Sequence, residues 1–171
     1  MNLSTKRINT FSPYKVFLKD NGSLCFKTQS GSVYEVGFVE DYTFMDENAY
    51  QFFIMELEGN HAVKDEWVRQ TIWVIIETFF LENNPVVLYI CDMSDGKQAV
   101  RNRLFSMWYY EYENKDDFTF LSARVEVEET DYFASVIIKN SNPQLEEIIE
   151  SFEMFIKDLK KKNKVRLSYS M

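Results

Sequence analysis

The chain has 171 residues, 46% of them hydrophobic and 27% charged, with only 5 Gly and 3 Pro. This excludes a disordered chain and points to a single core-forming domain, 1–171, made of regular elements joined by short loops. The net charge of −8 disfavours attraction to nucleic acid phosphates and anionic membranes.

In chain order, the first seven residues carry no apolar segment that a secretory signal needs. Residues 14–19 read as a strand, Asp20-Asn21-Gly22-Ser23 is a turn, and 24–28 form a second strand. Ser30-Gly31-Ser32 turns again into a strand over 33–39, with Glu35, Gly37 and Val39 expected on a wet face. A polar loop over 41–48 leads to a fourth strand over 49–57. These four strands read as an antiparallel meander.

A helix is predicted over 65–82, with Val68, Ile72, Ile75 and Phe79 on one face. Trp67, Val74, Ile76 and Phe80 widen that stripe, so the helix should be buried on more than one side. Asn83-Asn84-Pro85 stops it. Residues 86–90 then form a continuously apolar, buried strand. Asp95 is expected to cap a second helix, with Gln98 reaching back. Two strands, 118–128 and 132–139, follow. A third helix opens with Asn142 as cap and Pro143 at its first position, with Leu145, Ile148, Ile149, Phe152, Ile156 and Leu159 as its stripe. No apolar run approaches the roughly 18 residues of a membrane-spanning helix.

The fold class is therefore α+β: a mixed β-sheet of an N-terminal meander and a strand-helix-strand-helix-strand-strand-helix half, with three helices. The helix between the fourth and fifth strands is long enough to make them parallel. That topology would bring Glu58-Gly59-Asn60-His61 near Cys91-Asp92-Met93-Ser94-Asp95, the edge where polar groups gather.

Four chemistries compete there. Cys91 near a helix start, with His61 able to approach it, could be the nucleophile of an enzyme using the edge around Asp92 and Asp95; the plainer reading is a small apolar residue ending a core strand. Glu56, Glu58, Asp65, Glu66, Asp92 and Asp95 could bind a divalent cation, but helix capping and solvation account for them, so neither metal nor cofactor is expected. Gly96, Lys97, Gln98 and Arg101 could bind an anion, against an ion-pair network of Asp92 or Asp95 with Arg101 or Arg103. The fourth is a partner surface. Met107-Trp108-Tyr109-Tyr110-Glu111-Tyr112 surrounds the second helix with aromatics; if Leu104, Phe105, Trp108 and Tyr112 face inward, Tyr109 and Tyr110 point elsewhere, and with Arg101, Arg103 and Trp108 fit a contact surface. The plainer reading is packing under neighbouring strands.

Lys160-Lys161-Lys162-Asn163-Lys164-Val165-Arg166 suits a helix C-terminus better than a nucleic acid contact. Cys25 and Cys91 are too few and too far apart for a zinc set, and read as free thiols of a cytoplasmic protein. Asn84-Pro85, Tyr89-Ile90-Cys91-Asp92, Asp95-Gly96, Arg101, Arg103 and Leu104-Phe105 leading to Trp108, with Tyr34-Glu35-Val36 and Phe38 upstream, resemble an uncharacterised bacterial protein family of unknown function. The resemblance implies one intact domain and carries over no catalytic residue. The expected role is a soluble protein-interaction module or small homo-oligomer, with an enzyme using Cys91, Asp92, Asp95 and His61 as the alternative.

Overall fold

A computed structural model describes residues 2–43, 45–59, 65–91, 96–127 and 130–168. Among them are seven strands and four helices: α1 Thr5–Phe11, β1 Val16–Leu18, β2 Leu24–Lys27, β3 Val33–Glu40, β4 Ala49–Glu58, α2 Glu66–Asn83, β5 Val86–Ile90, α3 Gln98–Tyr110, β6 Phe118–Val127, β7 Thr130–Lys139 and α4 Leu145–Ser168. The strands run in the order β1-β2-β3-β4-β5-β7-β6. Directions are mixed: β4 and β5 are parallel, while β1–β2, β2–β3, β5–β7 and β6–β7 are antiparallel. The fold is α+β with a mixed sheet, and the parallel β4–β5 pair is the one the intervening helix implied.

Two compact units divide the chain, Met1–Val39 with Phe52–Pro85 and Glu40–Gln51 with Val86–Met171. In the first, α1 brings the helices to four rather than three, and the sequence hid it. Its seven residues bury only Ile8, and its start is marked only by the Ser4 side chain accepting from the Arg7 amide. A helix so short has no stability of its own; burial of Ile8 at 0% exposure, the Asn9 side chain bonded to both backbone groups of Val16, and the Ser4 amide donating to Glu82 hold it. Between β1 and β2 the chain turns through Gly22 at φ +83°, a conformation that favours glycine.

The wet face expected on β3 is absent. Glu35 and Gly37 are buried, and only Val39 of the three is exposed. Glu35 tolerates burial because its carboxylate accepts from Lys19 Nζ at 2.6 Å, Ser23 Oγ at 2.6 Å and Asn21 Nδ2 at 3.1 Å. Gly37 is covered by Phe53, whose ring atoms lie 2.6 Å from where a Cβ would stand.

Asp65 caps α2 by accepting from the Trp67 amide at 2.9 Å, and its other oxygen accepts from Tyr14 Oη at 2.6 Å. The predicted breadth of burial on α2 holds, through Val68, Thr71, Ile72, Trp73, Ile75, Ile76, Thr78, Phe79 and Phe80. Trp67 is instead 43% exposed. Thr71 and Thr78 are buried with hydroxyls engaged: Thr71 Oγ1 accepts from the Tyr14 amide at 3.3 Å, and Thr78 Oγ1 donates to Val74 O at 2.8 Å. Asn84 ends the helix in the left-handed conformation, φ 45°.

In the second unit, Val86, Leu88, Val136 and Ile138 of β5 and β7 meet Ile148, Phe152 and Ile156 of α4, joined by Ala49 and Val125. Asn142 Oδ1 accepts from the Gln144 amide at 2.9 Å, so the predicted capping residue acts one turn ahead of the first α4 residue, Leu145. The basic run from Lys160 lies inside α4, which continues to Ser168. Among the described residues no helix is long and apolar enough to cross a membrane.

Hydrogen bonds from Lys19, then Ser23 and Asn21, hold the Glu35 carboxyl down at about 2, against an ordinary 4.5. A depressed carboxyl stabilises the fold above its unfolded value and loses that contribution as the proton returns. Stability should therefore fall as pH drops from about 4.5 towards 2. In Glu35→Gln the part of that fall due to this group should vanish. Urea midpoints across this range measure it; parallel pH profiles for the two proteins would remove Glu35 from the role.

Candidate functional site

The site is built from β5, β7, β6 and α3. In a strand successive side chains alternate between faces. Since Val86, Leu88, Val136 and Ile138 face α4, Val87, Tyr89, Ser135 and Ile137 face the other way. There α3 packs. Tyr89 meets Phe105 with ring centroids 4.2 Å apart, and Tyr109 stacks on Phe120 of β6 at 4.5 Å. Between these aromatic contacts lies a polar patch. Ser122 and Ser135 are directly paired across β6 and β7; their hydroxyl oxygens are 3.0 Å apart, and Asn102 Oδ1 lies 3.4 Å from Ser135 Oγ.

This underside selects the rotation of α3. Gln98, Asn102, Phe105 and Tyr109, spaced by four, three and four, match the surface beneath, the amides over polar groups and the rings over rings. Phe105 and Tyr109 are buried at 4% and 6% exposure. The inward set expected from Leu104, Phe105, Trp108 and Tyr112 is therefore wrong except for Phe105: Leu104 is 41% exposed, and Trp108 and Tyr112 are half-buried. Tyr109 is not a surface residue. Its Oη lies 2.9 Å from Phe118 O and 3.1 Å from Lys115 O, and burial pushes its pKa up. A tyrosine reaches such a position when its hydroxyl has acceptors waiting.

The helix start also differs. Lys97 stands at the cap position without a side-chain cap bond, and Gln98 does not reach back; its Nε2 donates to Asp131 O at 3.3 Å. His61, Asp92 and Asp95, including the capping role predicted for Asp95, lie outside the described residues. Cys91 is 2% exposed. Its amide donates to Phe133 O at 3.2 Å, continuing the β5–β7 ladder by one residue. Burial pushes its thiol up to about 11, outweighing the lowering effects of Tyr89 and the Arg101 charge. Such a thiol is protonated and shielded, the opposite of an activated nucleophile. Among the described residues no three His, Cys, Asp or Glu side chains are grouped to hold a metal ion.

On the outer side of α3 the picture reverses. Val100, Leu104, Met107 and Tyr110 are 52%, 41%, 38% and 61% exposed. Arg103 is exposed among them, while Arg101 is half-buried. Positions 100, 104 and 107 recur at helical spacing, and 103 and 110 lie beside that line, so these side chains share one face. Of the residues proposed for binding, Arg103 and Tyr110 are on this face, Arg101 and Trp108 flank the helix, and Tyr109 lies beneath it. Val100, Leu104 and Met107 were missed as surface groups, although their own spacing marks them as a stripe.

Two measurements check this arrangement. Iodoacetamide at pH 7 should label the half-buried Cys25 well before Cys91 in the native protein, read by peptide mapping; equal rates would show Cys91 to be accessible. Tyr109→Phe should lower stability by about 0.5–1.5 kcal/mol, because the bond from the hydroxyl to the half-buried Phe118 and Lys115 carbonyls is lost. An unchanged denaturant midpoint would contradict that bond.

No curated protein matches the chain. A family model, described as a family of unknown function (DUF6169), matches residues 64–154. That stretch begins just ahead of α2 and contains β5, α3, β6 and β7 before ending within α4. It spans more than half of the sequence and includes the strand-turn-helix segment with Cys91, Arg101, Arg103 and Trp108. The chain belongs to the DUF6169 family.

Proposed function

We propose that the chain is a protein-interaction module whose contact surface is the outer face of α3. The observation that carries this reading is the stripe of Val100, Leu104, Met107 and Tyr110, all more than a third exposed on a helix whose opposite face is fully used. Isolated exposed apolar residues need no explanation, but four gathered on one helical face resemble the core of a contact patch. Arg103 beside them supplies a directional charge, so the partner surface is apolar and carries a carboxylate that meets it. Tyrosine, methionine and arginine are the types enriched at such patches.

The enzyme reading around Cys91 is the weaker one, because that thiol is shielded and its pKa is raised. Two free cysteines, Cys25 and Cys91, support a reducing cytoplasmic setting.

Hydroxyl-radical footprinting in intact native cells tests the surface without knowledge of the partner. Met107 and Tyr110 should be protected in cells relative to dilute purified protein. Met154 on α4, 63% exposed, is the internal reference. Equal modification of Met107 in both settings, normalised to Met154, would remove α3 as the contact surface.

A further inference from the structure

The two outer strands in the sheet order are β1 and β6. An outer strand presents unpaired amides and carbonyls, and proteins blunt such edges with short strands, lysines, prolines or bulges. The β1 edge is blunted in this way: it has three residues, with Lys15 and Lys19 just outside them. The β6 edge is not. It has ten residues without Pro or Lys, paired residue for residue with β7 from Phe118 to Val127 without a bulge. Among the described residues no strand pairs with its outer side.

Which groups point outward follows from one hydrogen bond. The Cys91 amide donates to Phe133 O, so Phe133 directs its backbone groups to β5. A residue's N–H and C=O point to the same side of an antiparallel ladder. Arg124, the β6 residue opposite Phe133, therefore directs its own outward, as do Phe120, Ser122 and Glu126 by the period of two. The Tyr109 hydroxyl at Phe118 O fits the same parity.

We infer that β6 is a self-association edge, where a second copy of this chain pairs antiparallel with it and continues the sheet across a two-fold axis at Val125. Charge favours one register, which pairs residues 123–127 of each copy. Only residues with outward backbone groups can face one another as hydrogen-bonded pairs, which restricts the choice to even positions. Pairing Arg124 with its own copy would set like charges opposite, and so would pairing Glu126 with itself. An axis at Val125 sets Arg124 against Glu126 of the other chain twice, once for each copy, and opposite charges directly across a strand pair are stabilising. Arg124 is 63% exposed at its side chain and is held on the β7 side by Asp131, Nε to Oδ1 2.6 Å. The arriving Glu126 would approach it from the other side. An isologous contact of this kind needs no surface other than the strand itself.

Sedimentation equilibrium of the full chain, with circular dichroism as a check on folding, tests this edge separately from α3. The wild type should be a dimer at the highest soluble concentration. Arg124→Glu and Glu126→Arg should each weaken the dimer by about tenfold or more. The double variant Arg124→Glu/Glu126→Arg, which restores opposite charges with their places exchanged, should recover most of the affinity. Leu104→Ser/Met107→Ser should leave it unchanged. A monomeric wild type would overturn the proposal, and a strand edge used by a different protein would show itself in that way. So would a dimer insensitive to the single reversals, a double variant as weak as the singles, or a dimer lost in the α3 variant. The cell footprint of Met107 is a separate readout from all these outcomes.

Discussion

The second unit depends on β7 being buried on both faces. It lies between β5 and β6, and Val136, Ile137 and Ile138 are each at most 1% exposed, with Ser135 at 0%. Moving the register by one residue would turn Val136 and Ile138 from α4 towards α3 and bring Ser135 and Ile137 to the α4 core. Each buried aliphatic side chain is worth about 1.5–3 kcal/mol, so a slipped register would lose several such contributions together. With the register fixed, the positions of the other elements follow. The α4 stripe of Ile148, Phe152 and Ile156 has one apolar surface to cover, and α3 has one mixed surface.

That mixed surface connects sequence, packing and function. Ser135 with no exposed area needs hydrogen-bonding neighbours, and Ser122 and Asn102 supply them. Placing Asn102 inside fixes the helix rotation, and rotation decides which apolar residues remain outside. Leu104 and Met107 face outward because an amide and two aromatic rings were better matched to the sheet beneath. The exposed stripe is therefore a consequence of satisfying a buried polar pair. The same packing underneath would allow polar residues at 100, 104 and 107, so the inner face does not by itself require apolar side chains there.

Legibility in the sequence followed the same division. The β5 run over 86–90, the α4 stripe and the parallel connection through α2 were readable because one periodicity or one length decides each. The rotation of α3 was not. Large apolar and aromatic residues surround that helix and its flank, so its pattern is ambiguous on its own, and the choice depends on Ser122, Ser135 and Phe120, which are distant in sequence. Glu35 was misread for a similar reason. A carboxylate in a strand suggests solvent, and only the turn that brings Lys19, Asn21 and Ser23 against it makes burial tolerable. The α1 helix left almost no trace because one buried isoleucine and hydrogen bonds to Val16 and Glu82 outside the helix set it in place. The polar edge around residues 92–95 drew attention by its chemistry, yet its described member, Cys91, is a core residue.

The matched stretch, 64–154, contains the whole of α3, β6 and β7 and leaves out the Glu35 network at the start of the chain. The outer face of α3 and the outer side of β6 both belong to that stretch and to one unit. They are held differently. A contact on the α3 stripe would be made by side chains, so its specificity could change by single substitutions without disturbing the sheet. A contact on the β6 edge would be made by the backbone, and would be restricted mainly by register and by the placing of Arg124 and Glu126. Tyr110 links the two: its ring meets Phe120 of β6 edge-on at 6.1 Å. A strand added beside β6 would therefore arrive near the end of the α3 stripe.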